Sequence, residues 1–247
     1  MPPDLLAYAA RILPGLLLIA WCFALARRGG DPLPRIAVLL LGFVLLRDAM
    51  TPTGLWRLGS VDGVLVWLRF TENALTLVLL GLGTLAATGA LLRFDPELRA
   101  LVRWGRADAA AVALGLGGGL AAAAPVLALN LLWPVHERGG AVALGLLPVL
   151  AFFSLSGNLA EEVLFRGFLQ GRMEPALGPA RAALGSAVLF AACHVFLAST
   201  VTGAGWPLLA FTLYEGLICA ALRMRRGVLP AALAHGTAIF LLGAGLP

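Results

Sequence analysis

The sequence predicts an all-α fold, a polytopic membrane helix bundle with about eight transmembrane helices. Three observations carry that expectation. Of 247 residues, 60% are hydrophobic and 13% charged, about half the ~25% of charged residues a soluble domain uses to cover itself. The apolar stretches are long and contain Gly and Pro but no period-two alternation, which excludes the strands of a membrane barrel. All 18 basic residues are Arg, scattered over loops and helix ends. The net charge of +5 is therefore a topology signal and not a nucleic-acid footprint, so no nucleic-acid partner is expected.

Taken in order, a span needs ~20 apolar residues at 1.5 Å rise. Candidates fall near 5–26, 33–52, 72–92, 109–133, 141–170, 181–198, 206–223 and 228–246. The first lacks a basic segment before it and a small-residue cleavage site after it, so it reads as a retained span. The second is interrupted by Arg47 and Asp48. Between the second and third, Ser60 to Glu72 mixes Arg69 and Glu72 with Leu, Val and Trp, as an interfacial helix does. The fifth is too long for one simple span and is expected to break at Ser156-Gly157-Asn158. Residues 1–140 form N-terminal helices without a recognised motif, and 141–247 form the core that carries one. Cys22, Cys193 and Cys219 lie inside apolar stretches and show neither a disulfide framework nor a metal-type spacing.

Orientation follows from Arg in the short connections. The first, third, fifth and seventh carry Arg27, Arg28 and Arg35, then Arg93 to Arg106, then Arg172 and Arg181, then Arg223 to Arg226. These are expected on the cytoplasmic side, with both termini outside. Arg47 and Arg57 in the second connection fit this scheme poorly.

Ionisable residues inside spans are costly and mark function or pairing. Glu162 and Arg166 are four apart, on one helix face, and can pair. Glu161 lies about 100° round the helix, so the same Arg cannot serve both carboxylates equally. The carboxylate left over suits a proton acceptor. The plainer alternative for Glu162 and Arg166 is an architectural ion pair. His194 and His235 lie inside later spans, where a lone His is commonly a packing hydrogen-bonder. Counted from the nearest Arg of a basic connection, Glu161, His194 and His235 lie at depths of roughly 14–20 Å. Three spans thus place an ionisable group at one level.

The motifs Glu161-Glu162-x-x-x-Arg166, Phe190-x-x-x-His194 and a final-span His235 resemble the CAAX-processing and bacteriocin-processing (CPBP, or Abi) intramembrane endopeptidases. The resemblance covers roughly residues 145–243. It implies a glutamate-type protease of the bacterial inner membrane, cutting a peptide bond near the cytoplasmic side. Its substrate would be a lipid-anchored or membrane-tethered protein or peptide, as in CAAX-like processing or trimming of a C-terminal sorting tail. It further implies that Glu161 and His194 activate water, that Glu162 and Arg166 support Glu161, and that His235 stabilises the oxyanion. The family usually has Asn or Asp four residues after the last His, where this chain has Ile239. Asn158, one turn before Glu161, is then a candidate donor. No cofactor and no metal are expected; two His and a Glu can ligate zinc, but no His-Glu-x-x-His is present. Glu215 either lines a cleft or hydrogen-bonds a neighbouring span. Two other classes stay open: a non-catalytic membrane binding or immunity protein of the same fold, which Ile239 favours, and a proton-relaying transporter, which the lack of an inverted repeat disfavours.

Overall fold

The computed structural model describes residues 2–245. Each predicted span contains a helix, and the chain is an integral membrane protein: six of the described helices are long and apolar enough to cross a bilayer. Helix α1 (Pro3–Ala26) lies against the bundle with most of its apolar residues exposed, as a lipid-facing helix requires. It packs on α2 (Leu33–Asp48), where Leu45 fills the space beside Gly15 and the Tyr8 hydroxyl donates to the Leu46 carbonyl at 2.8 Å. At 16 residues, α2 is about 24 Å long, short of the ~30 Å hydrocarbon core.

The interfacial helix expected over 60–72 is absent. Its place is taken by a β-hairpin, β1 (Trp56–Val61) and β2 (Leu65–Phe70), paired from Trp56↔Phe70 to Val61↔Leu65. The reason is the three-residue connection Asp62-Gly63-Val64: Asp62 and Gly63 adopt left-handed φ of 51° and 66°, and the Val64 N–H donates to the Val61 carbonyl at 3.0 Å. One face of the hairpin carries Trp56, Leu58, Leu68 and Phe70 onto an apolar cluster with Leu197, Ala198, Ala204, Leu208 and Ile239. The other face buries Arg69, which donates to the Leu242 carbonyl at 2.9 Å and to the Gly140 carbonyl at 2.7 Å.

Helices α3 (Ala74–Phe94), α4 (Pro96–Leu101) and α5 (Ala109–Asn130) each begin on a capping side chain, Asn73, Asp95 and Asp108, that accepts a backbone N–H. The fifth predicted span is one long helical run, Leu144–Leu177, made of α6 (Leu147–Glu162), a π-helical segment at Val163–Leu169 and α7 (Gln170–Leu177). It does not break at Ser156-Gly157-Asn158. Ser156 Oγ donates to the Phe152 carbonyl and Asn158 Nδ2 to the Ser154 carbonyl, each at 2.7 Å, so both polar side chains are satisfied by their own helix. The irregularity falls directly after Glu162, and π-helical insertions are frequent at functional sites.

The run continues through α8 (Pro179–Ala192), a π-helical turn at Leu197–Val201, α9 (Trp206–Arg226) and α10 (Val228–Gly243). Helix α10 is also 16 residues long, and it sits in the middle of the bundle, packed on α5, α6 and α9. Small residues make that approach: a side chain at Gly119 would meet the Ala234 carbonyl and Thr237, and one at Gly236 would meet Leu155. The Arg-rich connections gather on one face. Arg35 pairs with Asp95 at 2.7 Å and with Glu97, Arg172 pairs with Asp31 at 2.9 Å, and Arg223 pairs with Glu174. Arg103 donates to the Arg223 carbonyl at 2.6 Å. The hairpin, the 131–143 connection and the end of α10 meet at the opposite face.

Candidate active site

Three helices and the π-helical segment bring the intramembrane ionisable groups together. Glu162, at the end of α6, is fully buried and accepts from Arg166 Nη1 through Oε1 at 2.9 Å. The same oxygen lies 2.9 Å from Nδ1 of His235 on α10. The other ring nitrogen of His235, Nε2, is 3.4 Å from Oε2 of Glu215 on α9. Arg166 Nη2 donates to the Gly216 carbonyl at 2.9 Å, which is reachable because residue 216 has no side chain. The charges of this cluster balance when His235 carries a proton: two carboxylates then face a guanidinium and an imidazolium. Phe190 of α8 is packed into it, with the Arg166 guanidinium 4.6 Å from the ring centroid and the His235 ring edge-on at 5.5 Å.

His194 stands one turn beyond Phe190, its ring 4.7 Å from the Phe190 ring. Its Nδ1 is 2.7 Å from the Phe190 carbonyl. A carbonyl only accepts, so Nδ1 carries the proton and donates, which leaves the Nε2 of neutral His194 as a bare lone pair. Glu161 precedes Glu162, yet its surroundings differ. It is partly open and makes no hydrogen bond or ion pair among the described residues. Arg166 therefore serves Glu162 and not Glu161.

The structure thus links Glu162, Arg166, His235 and Glu215 by direct contacts and joins His194 to them through Phe190. Asn158 is buried, and its amide is bonded within its own helix. Ile239 lies one turn beyond His235, among Trp56, Leu197 and Leu208. The sequence placed Glu215 between two roles, and it meets the neighbouring span. It gave no role to Arg47. That side chain is buried at the end of α2 and donates through Nη2 to the Cys193 carbonyl at 2.6 Å, at the residue before His194. The signal was an Arg-Asp pair interrupting an apolar stretch, read as a defect of the span.

A metal has one grouping available. Glu162, Cys219 and His235 each offer an atom within 4.8 Å of the others. Glu162 is already paired with Arg166 and His235, and Cys219 Sγ lies 3.6 Å from the Ala231 carbonyl. A guanidinium bonded to the central ligand opposes a second cation there, so the donor set reads as an ion-pair cluster.

Fold and site together define an integral membrane protein with a buried Glu/His centre. Residues 143–241 match a family model described as type II CAAX prenyl endopeptidase Rce1-like. That stretch is similar to the Rce1-like family, consistent with the CPBP resemblance of the motifs, and it contains Glu161, Glu162, Arg166, His194, Glu215 and His235. The match supports a CAAX-type intramembrane endopeptidase in general. No curated protein and no solved structure matches the chain.

Proposed function

We propose that the protein is an intramembrane endopeptidase that hydrolyses a peptide bond of a lipid-anchored or membrane-tethered protein or peptide with water activated by Glu161 and His194. The observation that carries this reading is the division between adjacent glutamates. Glu162 is committed to Arg166 and His235, whereas Glu161 is partly open and makes no hydrogen bond or ion pair among the described residues. A carboxylate in that state accepts a proton from water, and the bare Nε2 of His194 holds the same water by accepting its second hydrogen. The water oxygen bonds to the scissile carbonyl carbon, and its proton passes to Glu161. The carbonyl oxygen becomes an oxyanion. Collapse breaks the C–N bond, and the proton on Glu161 goes to the leaving amine.

His235 is held at Nδ1 by Glu162. Its Nε2, 3.4 Å from Glu215, sits at more than good hydrogen-bond length and is the ring nitrogen that turns to the oxyanion. Glu162, Arg166 and Glu215 position that ring, and Asn158 supports the turn of helix beneath Glu161. The chemistry as written uses no metal and no cofactor. The similarity of residues 143–241 to CAAX prenyl endopeptidases favours substrates tethered by a lipid. Arg-rich connections gathered on one face support cleavage from the cytoplasmic side of a bacterial inner membrane, with both termini outside. A non-catalytic binder of the same fold is the second reading. It is favoured by Ile239, which fills with hydrocarbon a position one turn beyond His235.

The test is turnover in proteoliposomes on lipid-tethered peptides, with products mapped by mass spectrometry. The wild-type protein should yield one defined cut, and His194→Ala should lower the rate by ~10²–10⁴-fold, the usual worth of a general acid–base group. A wild-type protein that binds the peptides and never cuts them establishes the binder.

A further inference from the structure

We propose that Arg47 is a further catalytic residue, whose guanidinium binds the carbonyl oxygen of the scissile bond and stabilises the oxyanion that forms on it. The proposal rests on the endopeptidase reading above.

Arg47 is 6% exposed, in the last turn of a helix too short to cross the bilayer. Two contacts fix its plane. Nε donates to Oδ1 of Asp48 at 2.7 Å, and Nη2 donates to the Cys193 carbonyl at 2.6 Å. The third nitrogen, Nη1, is buried and has no hydrogen-bond partner among the described residues. Buried donors are usually satisfied, so Nη1 is left to take an acceptor that the described residues do not supply. Its position names the occupant. The Cys193 carbonyl precedes His194 in the chain, and Phe43, one turn before Arg47, spans the two groups: its ring lies 4.7 Å from the guanidinium and 6.0 Å from the His194 ring. A donor held beside His194, one member of the water-activating pair, is where an attacked carbonyl oxygen comes to rest.

Only an acceptor fits Nη1, and an acceptor that gains negative charge during attack fits it best, because hydrogen bonds from a cation to an anion are the strong ones. Asp48 pairs with Arg47 and holds its orientation. The full benefit then falls on the transition state, which raises kcat without tightening substrate binding. Arg47 and His235 together give the oxyanion two donors from two helices. No bond to Arg47 forms or breaks; the proton balance is that of the water, Glu161 and the leaving amine.

Arg47→Gln, Arg47→Lys and Arg47→Met, measured beside the wild type and Glu161→Gln in proteoliposomes, test this with turnover counted per folded molecule. Arg47→Met should lower kcat by ~10²–10³-fold, the loss of one oxyanion donor, with KM little changed. Arg47→Lys, which keeps a cation, should retain more kcat than Arg47→Gln. Wild-type kcat per folded molecule in Arg47→Met, even with reduced yield, assigns the residue to structure alone and overturns the proposal. A wild-type protein no more active than Glu161→Gln overturns the endopeptidase reading itself.

Discussion

Removing one partner of the Glu162–Arg166 pair leaves the other charge buried without compensation, because both side chains are fully enclosed. Such a loss costs ~3–5 kcal/mol when the site is dry. Arg166→Ala should therefore lower the thermal midpoint and the yield of folded protein together with activity. An Arg166→Ala protein of wild-type yield and full turnover would show that the pair does not organise His235. The positions of Glu161, Glu162, Arg166, His194 and His235 were all legible in the sequence, since charge inside an apolar span is conspicuous. Their partners were not. The 2.9 Å contact of Glu162 with His235 joins residues 73 positions apart, and the spacing of Glu162 to Arg166 says nothing of it. The sequence reading had the pair supporting Glu161, whereas its direct contact is with His235. Arg47 escaped for the opposite reason. Its role depends on the Cys193 carbonyl, a backbone group that no sequence pattern marks.

Helices were easier to read than the hairpin. Apolar length alone finds a span, but β1 carries Arg57, Gly59 and Ser60 between its apolar residues, and only the Asp62-Gly63 turn declared it. That turn and Arg69 can be tested together. Gly63→Val forces a β-branched residue to φ of 66°, and Arg69→Ala removes the donor to the Leu242 and Gly140 carbonyls. Each buried carbonyl left without a donor costs ~1–3 kcal/mol, so Arg69→Ala should lower the thermal midpoint measurably. An unchanged midpoint would mean the hairpin is not a cap on α10. Between α5 and α10 the limit is steric. A Cβ at Gly119 would lie 2.6 Å from both the Ala234 carbonyl and Thr237, so Gly119→Val should destabilise by ~1–3 kcal/mol through overpacking. Because α10 carries His235, turnover should fall in the same variant; turnover per folded molecule at the wild-type level would separate that interface from the site.

The molecule is organised by where its Arg residues lie. Those of the odd-numbered connections form ion pairs and carbonyl contacts on one face, whereas Arg47 of α2 and Arg166 of the π-helical segment are buried inside the bundle. The exposed Asp31–Arg172 pair is part of the first group. The hydrogen bond from Arg172 holds the Asp31 carboxyl below the usual carboxylate range. Its contribution is therefore present above the ordinary Asp pKa and lost as pH falls through the lowered one, and proteolysis of the 27–32 connection should rise over that acidic window. A connection equally resistant there would contradict the tie. Sidedness is tested at the third connection: with the native cysteines replaced, Ala100→Cys should resist an impermeant thiol reagent added outside intact cells, and ready labelling would invert the topology. The central claim is the unequal work of two adjacent carboxylates, and one paired measurement addresses it: turnover and thermal midpoint of Glu161→Gln against Glu162→Gln. Glu161→Gln should abolish product while keeping the wild-type midpoint, and Glu162→Gln should lower the midpoint as Arg166 and His235 lose their shared partner. A Glu161→Gln protein that still cleaves its substrate at the wild-type rate would contradict the account.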